Sequence, residues 1–187
     1  MFISLLEILY IVILTVAVGF IFSGFFKKPT SPEEVMKGRK FFDWKQLGYA
    51  ALVAAPGIIL HELAHKFVAM GFGLNATFHL FWGGLGIGVL LKVLGSGFMF
   101  LAPGYVSVIG ATPFQSAVTS FAGPLTNLLI WVGCFALLKV KKDFSRKWAL
   151  IIGMGGKLNL FLFLFNMIPF GPFDGAKVLP YLWNLIF

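Results

Sequence analysis

The chain has 187 residues, 59% of them hydrophobic and 12% charged, with a mean hydropathy of +0.92. A soluble domain of this length is nearer about 45–50% apolar and about 25% charged, so water is not the main solvent. The formal net charge is +8, but the basic residues fall mostly in two short loops between apolar runs. Lipid headgroups and topology account for that placement, and nucleic acid is not an expected partner.

Phe2 to Phe26 is the first apolar run, interrupted only by Glu7 and small polar residues. It is too long for a signal-peptide core and lacks a basic leading segment, so it reads as a retained transmembrane helix. Lys27 to Lys45 is a basic loop in which Ser31-Pro32-Glu33-Glu34 suits the start of a short interfacial helix. Gln46 to Gly71 is the second long run and holds His61, Glu62, His65 and Lys66; Gly71 and Gly73 are stop signals. Phe78 to Ala111 is apolar but rich in glycine, with turn signals at Gly83-Gly84 and Pro103-Gly104. It reads as short strands or a re-entrant hairpin at the membrane edge, where protein or a water-filled cavity satisfies the backbone.

Phe114 to Leu138 is the third span, with Gly123-Pro124 and Asn127 inside it. Lys139 to Lys147 is the second basic loop, and Trp148 to Met167 the fourth span. Pro169, Gly171, Pro172 and Gly175 predict irregular backbone around Asp174, and Ala176 to Phe187 can begin another span. The lone Cys134 forms no intramolecular disulfide and reads as a small buried hydrophobe. The class expected is an all-α polytopic membrane protein with about four to six transmembrane helices and a small membrane-edge β element. One core spans residues 1–187, with the basic loop at 27–45 and the Gly-rich region at 78–111. Such a chain is an integral, multi-pass protein, with the lipid bilayer as its first partner, in all expectation that of the cell membrane. No oligomeric state is readable from the pattern.

The chemistry centres on His61-Glu62-Leu63-Ala64-His65. Residues four apart on a helix share a face, so the two imidazoles can bind one metal ion. The glutamate beside the first histidine points nearby but off that axis, and can act on a water without being a ligand. Zinc suits such donors. Ionisable groups inside an apolar helix are expensive and need partners or a function. A catalytic zinc site has three protein ligands as a rule. Asp174 is one candidate for the third, in Asn166-Met-Ile-Pro169-Phe-Gly-Pro-Phe-Asp174-Gly175. On spacing alone it serves equally as a helix N-cap or turn residue. His79 competes as a third ligand, against a plain amphipathic role near the interface.

His61-Glu62-x-x-His65, Gly123-Pro124-x-x-Asn127 and Asn166-x-x-Pro169-x-x-x-x-Asp174-Gly175, in that order, resemble the site-2 protease family of intramembrane zinc metalloproteases. The resemblance covers roughly residues 48–180 and is closest to the compact archaeal and bacterial members. It implies one Zn2+ held by His61, His65 and Asp174, with Glu62 as general base. It implies that Asn166 holds substrate or stabilises the developing oxyanion, and that Gly123, Pro124 and Asn127 align substrate or pack the scaffold. It further implies a transmembrane protein as substrate and an edge strand between the metal helix and the next span. The family runs its metal helix inward, with the site toward the cytosol. The two basic loops here flank the same side, which the positive-inside rule makes cytoplasmic, giving the opposite orientation. Two readings from other classes stand beside protease: a metal-binding membrane adaptor, which has no need of Glu62, and a metal transporter, which favours internal repeats that this sequence lacks.

Overall fold

Long apolar stretches close their backbone hydrogen bonds internally, and in lipid a helix is the way a single segment does so. A computed structural model describes residues 3–24, 43–95 and 103–187. Its elements in chain order are α1 (Leu5–Phe22), α2 (Trp44–Gly71), β1 (Asn75–Leu80), α3 (Trp82–Val93), β2 (Gly104–Ile109), α4 (Pro113–Val140), α5 (Arg146–Asn166) and α6 (Gly175–Ile186). Among the described residues α1, α2, α4 and α5 are long and apolar enough to cross a membrane. The protein is a polytopic, all-α integral membrane protein with a minor β element. Most of the first basic loop, including the expected interfacial helix at Ser31 to Glu34, lies outside the described residues.

Helix starts follow local chemistry. Ser4 and Glu7 form a reciprocal capping box on α1, and Thr112 and Gln115 form another on α4, where Pro113 takes the first helical position. Asp43 accepts from the amides of Lys45 and Gln46 at the start of α2. The Gly-rich stretch contains a helix as well as strands: Gly83, Gly84, Gly86 and Gly88 all lie inside α3. Glycine is commoner in membrane helices than in soluble ones, so its presence there is no bar to a regular turn. Strands β1 and β2 pair as a two-stranded sheet.

The chain groups into two compact units. One is Met1–Pro56 with Leu80–Gly104. In it α1 packs on α3, with Leu14, Val18, Ile21 and Phe22 of α1 buried. The other is Gly57–His79 with Tyr105–Phe187. There α4 packs on both α5 and α6. Small residues set these distances: a Cβ on Gly156 would lie 2.9 Å from the Cβ of Cys134, as expected where helices in lipid pack through small side chains. Gly171, with φ +71°, takes the left-handed turn between α5 and α6.

Candidate metal centre

Every sequence-predicted site residue belongs to the second unit. His61, Glu62 and His65 lie on the C-terminal half of α2 and are all buried. The two imidazoles stand edge to face, with ring centroids 4.6 Å apart. Their Nε2 atoms are 3.1 Å from each other. Asp174 Oδ2 lies 3.2 Å from His61 Nε2 and 3.4 Å from His65 Nε2.

That triangle has the dimensions of a metal site. Donors about 2.0–2.1 Å from one ion at tetrahedral angles lie about 3.3–3.4 Å from each other. His61, His65 and Asp174 can therefore hold a metal ion together, and among the described residues they are the cluster of this kind. Burial raises the Asp174 carboxyl, but hydrogen bonds and charge from His61 and His65 outweigh it and hold the group well below the usual carboxylate range. An anionic carboxylate is the form a metal ligand needs.

The structure bears on the two uses of Asp174 left open by spacing. It takes the N-cap position of α6, but its side chain makes no cap hydrogen bond. Gly175 explains how it gets there. A Cβ at that position would sit 2.5 Å from the carbonyl of Met167 and 2.6 Å from that of Ile168. Only glycine lets the start of α6 press so closely on the end of α5, which turns Asp174 toward α2. Asp-Gly here serves a close approach; the positive-φ turn is at Gly171.

The far side of each ring is tied down. His65 Nδ1 is 2.7 Å from the Thr119 carbonyl on α4. A carbonyl only accepts, so Nδ1 carries a proton and Nε2 is the nitrogen left to face an ion. His61 Nδ1 is 2.5 Å from Oδ1 of Asn127. Asn127 is thus brought behind a histidine. Gly123 faces both rings: a Cβ there would be 2.4 Å from His65 Nε2 and 2.7 Å from His61 Cε1. Pro124, fully buried beside it, has no N–H, which leaves the Ser120 carbonyl without its helical donor.

The centre opens onto a cavity of about 200 Å³, room for several waters at about 30 Å³ each. Glu62, Ser116, Thr119, Ser120, Asn166 and Lys177 line it, with Tyr105, Val106 and Val108 of β2 forming another wall. Asn166 reaches the cavity, but its amide nitrogen donates to the Leu162 carbonyl at 3.0 Å. His79 is elsewhere engaged: its Nε2 is 3.1 Å from Ser107 Oγ and its ring stacks on Tyr105. Two contributors escaped the sequence reading. Asn159 accepts from Asn127 at 2.8 Å. Thr119 supplies the carbonyl for His65, and its own hydroxyl has no partner among the described residues. A polar residue in an apolar span was the available signal for Asn159; a main-chain carbonyl such as that of Thr119 leaves none.

Comparison with known proteins agrees with this chemistry. A "Putative zinc metalloprotease" of Methanocaldococcus jannaschii is 37% identical over 140 residues, covering 72% of this chain and 72% of that protein. Proteins of the same description from Synechocystis and Bacillus subtilis are 30% and 27% identical over 69% and 74% of this chain. The match spans 71% of the Bacillus protein but only 30% of the Synechocystis one. No family model matches the chain, and no solved structure does. With donors that fit a zinc ion, four membrane-length helices and this level of identity over most of both chains, the protein belongs to the same zinc metalloprotease family as these relatives.

Proposed function

We propose that the protein is an intramembrane zinc endopeptidase of the site-2 type, which cuts a peptide bond in or near a transmembrane segment of a membrane-bound substrate. The observation that carries this reading is the His61–His65–Asp174 donor triangle with Glu62 on the same cavity, inside a membrane helix bundle. One zinc per chain would be held by the two Nε2 atoms and Asp174 Oδ2. When bound, zinc acts as a Lewis acid and lowers the pKa of a coordinated water to about 7.

The chain's own residues do the rest. Glu62 removes a proton from the attacking water and delivers it to the leaving amine. Asn166 donates to the oxyanion that develops on the substrate carbonyl. To do so it gives up its bond to Leu162, at a net cost of about 1 kcal/mol. Gly123 leaves the space beside the imidazoles open, and Asn127 holds His61 from behind. A transmembrane helix buries its peptide bonds in its own hydrogen bonds, so a stretch of substrate must unwind before attack. Strand β2, on the cavity wall, is suited to pair with the unwound stretch.

The test is cleavage of a panel of single-span substrates by purified protein in detergent, with zinc quantified in the same samples. Wild type is expected to cut at least one substrate, and Glu62→Gln to cut none while retaining about one zinc per chain. Folded protein with no zinc in either form would sink the proposal. Cleavage by Glu62→Gln at the wild-type rate would remove Glu62 from the mechanism. Zinc transport into liposomes without cleavage would point to a carrier.

A further inference from the structure

Behind the donor triangle runs a line of buried amides, of which the mechanism uses only Asn127. Asn127 and Asn159 are 0% and 2% exposed. Asn127 Nδ2 donates to the Gly57 carbonyl at 3.2 Å and to Asn159 Oδ1 at 2.8 Å. Asn159 Nδ2 donates to the Gly155 carbonyl at 2.8 Å. Gly57 makes room for this: a Cβ there would lie 2.4 Å from Asn159 Oδ1.

The two ends of a carboxamide are alike in shape and opposite in hydrogen-bonding sense. A main-chain carbonyl only accepts. Gly155 therefore takes the NH2 end of Asn159, which leaves Asn159 Oδ1 facing Asn127. Gly57 and that oxygen both take the NH2 end of Asn127, which leaves Asn127 Oδ1 facing His61. That oxygen also only accepts, so His61 carries a proton on Nδ1, and Nε2 is the nitrogen left to face a metal ion. The sense of the whole line is set by two carbonyls, and Asn159 transmits it from α5 to α4 and on to α2.

We propose that Asn159 is a positioning residue for the metal centre: through Asn127 it fixes the tautomer and ring orientation of His61 so that Nε2 stands ready as a ligand. This rests on the reading of His61, His65 and Asp174 as the zinc site. Of the two acceptors on Asn127, Asn159 is the nearer. Without it Asn127 keeps only the longer bond to Gly57, and one buried N–H is left unpaired. The ordinary alternative is that Asn159 merely joins α4 to α5, as polar residues in membrane bundles do.

A double-mutant cycle read by zinc affinity separates these. The full chain in detergent is titrated with zinc against a chromophoric chelator, as wild type, Asn159→Leu, Asn127→Leu and the pair. Leucine keeps the volume and removes the hydrogen bonds. Thermal midpoints without metal report the fold of each, and Co2+ spectra report the geometry of the site. Asn159→Leu is expected to bind zinc about 10- to 100-fold more weakly, the usual loss for a partner behind a ligand, with an altered Co2+ spectrum. In the Asn127→Leu background it should cost nothing further. Asn159→Asp, held neutral by its burial, keeps an oxygen toward Asn127 and an O–H toward the Gly155 carbonyl, and should bind zinc nearly as wild type does. Folded Asn159→Leu with wild-type affinity, or a loss that adds in full to that of Asn127→Leu, would overturn the proposal. If Asn159→Leu does not fold, Asn159→Asp decides: affinity retained supports the line of amides, and a loss of about tenfold or more overturns it. Wild type that binds no zinc overturns the site reading itself and this inference with it, and that result appears in the first titration before any variant is made.

Discussion

Asp174 occupies the N-cap position of α6, but its carboxylate leaves that helix uncapped and lies 3.2 Å from His61 Nε2. A side chain that forgoes about 1 kcal/mol of capping has found a better partner. The two imidazoles are that partner.

Asp174→Asn should therefore cost metal more than fold. Zinc affinity is expected to fall by at least the 10- to 100-fold typical of losing an outer partner, since a ligand itself is removed. Without metal, a pH dependence should show as well. The Asp174 carboxyl is depressed in the folded protein. Its contribution is present in full above the unfolded value of about 3.9 and is lost as pH falls through the folded value. Metal-free wild type should then exceed Asp174→Asn in thermal midpoint at neutral pH, with the gap closing only in strong acid. A gap that widens on acidification would contradict the assignment.

Gly123→Ala should empty the metal centre. Its Cβ would meet the metal-facing nitrogen of His65 at 2.4 Å. Alanine is otherwise the better helix former by about 1 kcal/mol. Helical content by circular dichroism should hold while zinc per chain drops toward zero. Full zinc content would show that the rings can yield.

Gly175→Ala should injure both fold and site. The added methyl would press on main-chain atoms of Met167 and Ile168, which cannot rotate away. Overpacking of this kind costs about 1–3 kcal/mol. Gly133→Ala is the control, because nothing lies within 4 Å of its Cβ position. The first should lower the thermal midpoint and the zinc affinity together, and the second should change neither.

Thr119→Val should leave the protein at least as stable as before. The hydroxyl is buried and has no partner among the described residues, and such a group costs about 1–3 kcal/mol. The carbonyl that holds His65 belongs to the main chain and survives the change. A clear fall in thermal midpoint would mean that the hydroxyl has a partner after all.

Much of this was legible in the sequence because membrane constraints are severe. Apolar runs became the long helices, and His61-Glu62-x-x-His65 placed two imidazoles on one face. Spacing could not decide Asp174, since cap and ligand need the same residue at the same place. What turns its carboxylate toward the histidines is the close approach that Gly175 permits, a contact across α5 and α6 that no local pattern records. The helix at Trp82–Val93 was hidden by its glycines, whose meaning differs between lipid and water. Asn159 was hidden for another reason. It stands in an apolar span as a single amide, and its partner Asn127 is 32 positions away.

The amides behind His61 end on the carbonyls of Gly57 and Gly155. Every amino acid carries a carbonyl, so a change of side chain at either end does not by itself remove the acceptor. Inheritance can erase the middle of this line, at Asn127 or Asn159, but it can damage the ends only indirectly, by crowding them as a methyl on Gly57 would. Relatives that drift at the two asparagines should therefore still keep a small residue at the position of Gly57 for as long as any polar group fills the space behind the ring.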